Sequence, residues 1–233
     1  EILVDYAGTS GASPSGINVV KNYPHASTTF TIRSVLNPEV PNNYGSLAPI
    51  RVEAPEGSIV NAVSPAPCTA RHVVGMFLPM PLLAALAEVA PDKGLAEGAG
   101  AVWTMQVSGT HDDGSPFITA MFTYAGGVGA RAAKPGLSAT SYPTGVSAVP
   151  MEVVEASAPV RFLRKELRPG SGGEGAEQGG LGQVIEFTVD TQRPWQLNAV
   201  TSRMKHAPRG LFGGGEGAPL PDTFPPLPPR FQR

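Results

Sequence analysis

The chain has 233 residues, of which 28 are Gly and 25 Pro, so 53 positions, about 23%, punctuate the backbone where ordinary usage gives roughly 12%. Only 15% of residues are charged, the net charge is -2 and 41% are hydrophobic, which excludes a disordered charged tail and gives no reason to expect a nucleic-acid or anionic-membrane partner. The glycines have no three-residue period, which excludes collagen, and Gly and Pro interrupt every long stretch, which excludes a coiled coil.

Read in chain order, residues 1–6 alternate as a strand, and Gly8-Thr9-Ser10-Gly11 is the turn after it. A helix is predicted from about Ser27, stopped at Asn37-Pro38, because a proline disfavours helix in the residue before it. Pro41-Asn42-Asn43-Tyr44-Gly45 is a turn cluster. Residues 50–54 alternate as a strand, Pro55-Glu56-Gly57 turns, and residues 58–63 read as a second strand. Residues 69–78 read as a helix, and Pro81 opens another that runs to about Ala90. The apolar run 73–90 contains Gly75, Pro79, Pro81 and Glu88, too broken and short for a membrane span. No signal peptide is visible.

Beyond residue 90 the pattern turns to β. Strands are predicted at 101–107, 117–124, 152–154, 160–167, 184–189 and 195–202, with His111-Asp112-Asp113-Gly114 as a hairpin turn. The class is therefore α+β and β-rich: two or three helices in the first 90 residues, then antiparallel or mixed β structure with long Gly-rich loops. Residues 221–233, which include Pro225-Pro226-Leu227-Pro228-Pro229, form a proline-rich tail without a core pattern. The chain opens on strand-like Glu1-Ile2-Leu3-Val4 without an initiator Met, and is expected to be part of a longer polypeptide.

Four features carry candidate chemistry. Gly170-Ser171-Gly172-Gly173-Glu174-Gly175 matches G-x-G-x-x-G, but a dinucleotide site needs a helix after it, and Ala176-Glu177-Gln178-Gly179-Gly180 is too glycine-rich for one. A tight loop with several left-handed glycines is the plainer reading, and bare backbone approached closely by another chain or a substrate is a third. His111-Asp112-Asp113 suggests a metal site, yet three consecutive ligands cannot face one ion from a strand, and a solvated hairpin tip fits better. Cys68 precedes a predicted helix, whose N-terminus would activate a thiol; a small buried hydrophobe is the plainer reading. As the lone cysteine it cannot form an internal disulfide, which fits a reducing compartment. Finally, residues 136–144 are dense in hydroxyls, either turn caps or donors to a small polar ligand. Arg161 and Lys165 are expected on the opposite strand face to Arg164 and Arg168, with edge protection as their default role.

Together these segments resemble the hydantoinase B/oxoprolinase family. The resemblance rests on Pro41-Asn42-Asn43-Tyr44-Gly45-Ser46-Leu47-Ala48-Pro49-Ile50 with residues 54–61, on Gly136-Leu137-Ser138-Ala139-Thr140 leading to residues 150–155, on Glu166-Leu167-Arg168-Pro169-Gly170-Ser171-Gly172-Gly173 with Gly179-Gly180-Leu181-Gly182-Gln183, and on Gly210-Leu211-Phe212-Gly213-Gly214. Each is weak alone; their order and spacing across residues 1–220 are specific.

The resemblance implies one domain-sized unit over residues 1–220, incomplete relative to the family. It implies a cytoplasmic hetero-oligomer in which an A-type ATPase subunit, with ATP and Mg, phosphorylates a small cyclic amide such as hydantoin or 5-oxoproline. The B-type part then completes hydrolysis. A ketone carboxylase component and a non-catalytic assembly module are the alternatives. No cofactor is expected on this segment: where B-type relatives hold a divalent metal, its His and Asp ligands come from the half preceding this region, and metal ligands here are expected to be none. Catalytic residues are left unassigned. Ser138, Thr140, Thr144, Arg168, Ser171, Gly172 and Gly173 are the candidate substrate-binding or interface residues. Valine at Gly172 or Gly173 is expected to disrupt the loop through its resistance to positive φ. The scarcity of charge implies that partner surfaces cover part of this one.

Overall fold

The structure is a computed structural model that describes residues 1–100 and 102–221. It comprises a small parallel pair of strands with helices around it, then two antiparallel sheets. Strand β1 (Ile2–Asp5) pairs in parallel with β2 (Ile50–Glu53), Ile2 opposite Ile50. Between them runs α1 (Asn22–Leu36), followed by the one-turn α2 (Tyr44–Leu47). Helix α1 begins five residues before the expected Ser27, because Pro24 falls in the first turn, where its missing N–H has no intrahelical partner to lose. It ends at Leu36, where Pro38 stops it. Its buried threonines are satisfied locally: Thr31 Oγ1 donates to the Ser27 carbonyl at 2.7 Å, and Thr29 Oγ1 to that of His25 at 2.9 Å. Thr28 Oγ1 meets the Tyr6 hydroxyl at 2.9 Å, and burial pushes the Tyr6 phenol above its ordinary value. In α2, Asn43 and Ser46 form a reciprocal capping box.

Two expectations fail nearby. Residues 58–63 are turns, not a strand: Ser58 bonds back to Pro55 and Asn61 to Ser58, leaving an isolated bridge from Ser58 to Gly11. Of residues 69–78 only α3 (His72–Gly75) is α-helical. Contacts three residues apart, such as Leu78 to Gly75, tighten the chain before α4 (Pro79–Val89). Helix α4 starts at Pro79 rather than Pro81, both prolines lying in its first turn. The 18-residue stretch His72–Val89 has mean hydropathy 1.6 and is apolar enough to cross a membrane, but α3 and α4 divide it. Its Leu78, Met80, Leu83 and Ala87 are buried against the rest of the chain. A first hydrophobic cluster forms here around Val19, Val60 and Leu78, with Tyr6, Tyr23 and Val74 against it.

The second half follows the predicted strands closely. β3 (Val102–Thr110) and β4 (Pro116–Ala125) form the expected hairpin, with Gly114 at φ +95° in its turn. The expected strand position Ala101 lies outside the described residues. β7 (Trp195–Val200) joins β3 on the other side, giving the order β4-β3-β7. β5 (Val160–Leu167) and β6 (Gln183–Val189) make a separate antiparallel pair. Residues 152–154 are not a strand but lie in α5 (Met151–Ser157), capped by Pro150, with Glu152 in the first turn. Its adjacent valines look strand-like; tertiary contact decides otherwise, since Val154 is buried in a second cluster with Val107, Phe117, Ala158, Val160 and Val189. Helix and strand are present in nearly equal amounts, so the chain is α+β, with one parallel pair and two antiparallel sheets, and not dominated by β structure. Residues 222–233 of the proline-rich tail lie outside the described residues.

Candidate functional site

A cavity of about 830 Å³ opens between β3, β6 and β7 and four loops, which contribute residues from 94–99, 125–133, 171–182 and 208–221. Much of what holds these loops together is backbone hydrogen bonding. Val128 N–H donates to the Leu137 carbonyl at 2.9 Å, Gly180 N–H to that of Val128 at 2.9 Å, and Gly136 N–H to that of Gln178 at 2.8 Å. Ala99 N–H donates to Gly127 at 2.9 Å, Gly215 N–H to Glu174 at 2.7 Å, and Ala218 N–H to Ser171 at 3.0 Å. At several glycines of these loops the neighbouring main chain occupies the space that a Cβ would need. A Cβ on Gly180 would overlap the Leu137 carbonyl. The glycine excess of the sequence is therefore the material of one wall.

That wall also explains Gly172 and Gly173. Neither has a positive φ; in residues 170–182 only Gly170 does, at +69°. The expected loop of several left-handed glycines is thus corrected: a Cβ on Gly172 would strike the Gly179 carbonyl, and one on Gly173 the carbonyl of Gly215. Close approach, not φ, selects glycine there. The neighbouring backbone belongs to this same chain. No helix follows the G-x-G-x-x-G stretch; β6 does, so a dinucleotide site of the helix-terminus kind is excluded here.

One cluster of the charged lining residues is centred on a buried ion pair. Glu97 and Arg203 pair at 3.0 Å with side chains only 13% and 12% exposed. Arg209 adds a second bond to Glu97 at 2.9 Å. Burial pushes the Glu97 carboxyl up, but the Arg209 hydrogen bonds and the two guanidinium charges outweigh it and hold it below its ordinary value. Burial draws Arg203 down, opposed by Glu97. Arg203 also donates to the Gly98 carbonyl at 3.0 Å and lies 5.0 Å from the Phe77 ring centroid. Its Nε and the neighbouring Ser202 hydroxyl are buried without a partner.

Backbone strain gathers at the same place. Among the described residues, four non-glycines have positive φ: Ala133, Ala139, Arg203 and Phe212. Three of them, all but Ala139, line the cavity. Such conformations cost roughly 1–2 kcal/mol each and concentrate at functional sites.

The structure divides the candidate residues. Arg168, Ser171, Gly172 and Gly173 line the cavity; Ser138, Thr140 and Thr144 do not. Ser171 is buried and staples its loop, donating to the Arg168 carbonyl at 2.7 Å and accepting from Gly182 N–H at 2.8 Å. Arg168 donates to the Pro219 carbonyl at 2.8 Å. Ser138 accepts from Leu181 N–H at 3.0 Å, and Thr140 donates to the Ser138 carbonyl at 2.9 Å, so both brace the wall from behind. Thr144 is exposed. Arg164 and Arg168 share the cavity side, as strand alternation predicts, while Arg161 is paired with Asp190 at 2.8 Å outside it.

Sequence reasoning missed Glu97, Arg203 and Arg209, isolated charges in unpatterned loops, and gave no role to Phe212. Asp112 and Asp113 serve the hairpin. Asp112 accepts from Gln192 N–H at 2.8 Å, and Asp113 from the Ser115 hydroxyl at 2.6 Å and the Ser115 N–H at 2.8 Å; these bonds hold both carboxyls below their ordinary values. Among the described residues no three His, Cys, Asp or Glu side chains gather as a metal site. Cys68 precedes only a one-turn helix, and its Sγ lies 3.5 Å from the Ala66 carbonyl.

Comparison with known proteins agrees with the sequence resemblance. The family profile of hydantoinase B/oxoprolinase matches residues 1–223. An uncharacterized protein of Methanocaldococcus jannaschii is 31% identical over 222 residues, 94% of this chain and 38% of that one. A Pseudomonas sp. protein named as the B-type subunit of a D-/L-hydantoinase is 30% identical, covering 93% and 37%. 5-oxoprolinase 1 of Arabidopsis thaliana is 28% identical, covering 93% and 16%. The chain thus spans less than two-fifths of the length of these relatives. Among solved structures, nucleotide-free acetone carboxylase superposes with a TM-score of 0.79 at 20% identity, over 94% of this chain and 30% of that one. The ATP-dependent caprolactamase of Pseudomonas jessenii gives 0.69 at 23% identity, over 80% and 33%. These two show a common fold, and the match along residues 1–223 shows that the chain belongs to the hydantoinase B/oxoprolinase family.

Proposed function

We propose that this chain forms one wall of the hydrolytic chamber of an ATP-dependent cyclic-amide hydrolase of the hydantoin or 5-oxoproline type. In this scheme an A-type ATPase subunit phosphorylates the amide oxygen. An amide is a poor electrophile; phosphorylation makes that oxygen a good leaving group that water can help displace. The cavity carries the proposal. Its volume of about 830 Å³ lies in the range of small-ligand sites, roughly 300–1,000 Å³, and two of its four loops, 171–182 and 208–221, contain stretches that bear the family resemblance. Within it, Arg168, Ser171, Gly172 and Gly173 shape the substrate wall. Ser138 and Thr140 support it from outside, and Thr144 is kept as an interface residue. The Glu97–Arg203–Arg209 group ties segments 94–99 and 201–210 together, so the wall keeps its shape when a small ligand enters.

The test is co-assembly of the natural polypeptide with its A-type partner, followed by phosphate release with hydantoin, 5-oxoproline, or acetone plus bicarbonate. The proposal expects cyclic amides to stimulate ATP turnover. Stimulation by the ketone and bicarbonate alone assigns the chain to the carboxylase branch. Assembly without stimulation by any of them makes it a scaffold.

A further inference from the structure

Phe212 combines a disfavoured backbone conformation with a position left largely exposed. Its φ is +51°, in the left-handed region, and the residue is 70% exposed, so the ring gains little from burial. The turn responsible is well defined. Gly214 N–H donates to the Leu211 carbonyl at 2.9 Å, and Phe212 and Gly213 are both left-handed, at +51° and +84°, which is a type I′ turn. The first central position of such a turn ordinarily takes Asn, Asp or Gly. A phenylalanine there is disfavoured by the backbone and unsupported by packing.

The turn is also fixed in place. Gly215 N–H donates to Glu174 at 2.7 Å and Gly217 N–H to Pro208 at 2.9 Å, anchoring it to the glycine wall. Phe212 lines the cavity. Of the aromatic side chains among the described lining residues, Trp103 and Phe187 pack against the second hydrophobic cluster. Phe212 alone is largely exposed. A rigid backbone therefore presents an unpacked aromatic face to a cavity of small-molecule size.

We infer that Phe212 is the ring-binding face of this cavity, stacking on the planar ring of a cyclic amide. The inference rests on the hydrolase proposal and adds a residue that selects cyclic over open-chain amides. A phenyl face laid on the flat amide portion of such a ring gains buried area and dispersion contact, and the strained turn places the phenyl ring before the substrate arrives.

The test uses Phe212→Asn, which removes the ring while suiting the left-handed turn, and Phe212→Trp, which keeps an aromatic face. Saturation-transfer NMR of hydantoin on the full chain reads binding without turnover. In the assembled complex, KM and kcat for hydantoin and the melting temperature read function and folding. Phe212→Asn should melt at or above the wild-type temperature, lose the saturation transfer, and raise KM about tenfold with kcat within about twofold. Phe212→Trp should stay within about threefold of wild type. No transfer to hydantoin in the wild type overturns the inference, and so does transfer or KM unchanged in Phe212→Asn. Failure of Phe212→Asn to assemble with the A-type subunit also overturns it, making the ring an interface anchor. Phe212-dependent binding without any amide-stimulated ATP turnover overturns the hydrolase proposal alone.

Discussion

The second hydrophobic cluster and the glycine wall lie side by side and are held by opposite means. The cluster is built of side chains: Val107, Phe117, Val154, Val160 and Val189 close over one another between β3, β4, α5, β5 and β6. The wall is built of main chain, with Gly127, Gly136, Gly172 and Gly180 lying where a Cβ would meet a backbone atom. A side-chain core can yield a little when one group changes, because neighbours relax into the gap. A backbone wall has no such slack on the overpacked side. Adding an atom should therefore harm the wall more than removing atoms harms the cluster.

The largest expected effect is at the wall. Gly180→Val should cost about 3 kcal/mol or more, from overlap with the Leu137 carbonyl, read as the midpoint shift in denaturant unfolding. In the cluster, Val107→Ala should cost about 2 kcal/mol in the same measurement, since Val107 is fully buried. If the valine at 180 is the milder change, the contrast is wrong.

Glu97→Gln sharpens the comparison from the electrostatic side. The Glu97 carboxyl is held below its ordinary value in the folded chain. Its contribution is therefore present above the unfolded pKa of about 4.3 and lost as pH falls through the lower folded value. The variant should be about 2 kcal/mol less stable at pH 7, and the gap should close as pH falls below about 4. Unfolding curves collected from pH 7 to pH 3 check this; a gap that widens toward acid contradicts it.

The smallest effect separates the two reasons for glycine. Gly170→Ala meets open space but keeps φ +69°, and should cost about 1 kcal/mol. Gly172→Ala, at an ordinary φ but facing the Gly179 carbonyl, should cost more.

What could be read in advance follows the same division. β5 and the β3–β4 hairpin were legible because alternating side chains and Asp113-Gly114 encode them locally. Helix α5 was not, because Val153 and Val154 favour a strand, and what favours the helix is the burial of Val154 in the cluster with Val107 and Val160. The cavity was legible as an excess of glycine but not as a place. A glycine without a Cβ carries no sign of which backbone will lie against it. Glu97 and Arg203 are 106 residues apart, and no local pattern pairs them. Phe212 stood in a recognised motif, yet the left-handed strain that marks it is a property of the folded turn.

The central claim is that the glycine wall encloses a cyclic amide. Hydrogen–deuterium exchange on the complex with the A-type subunit, with and without hydantoin, tests it most directly. Slowed exchange in residues 126–136, 171–182 and 210–217, with residues 22–36 unchanged, is the predicted result. Protection confined to residues outside these three loops, or none at saturating hydantoin, would contradict it.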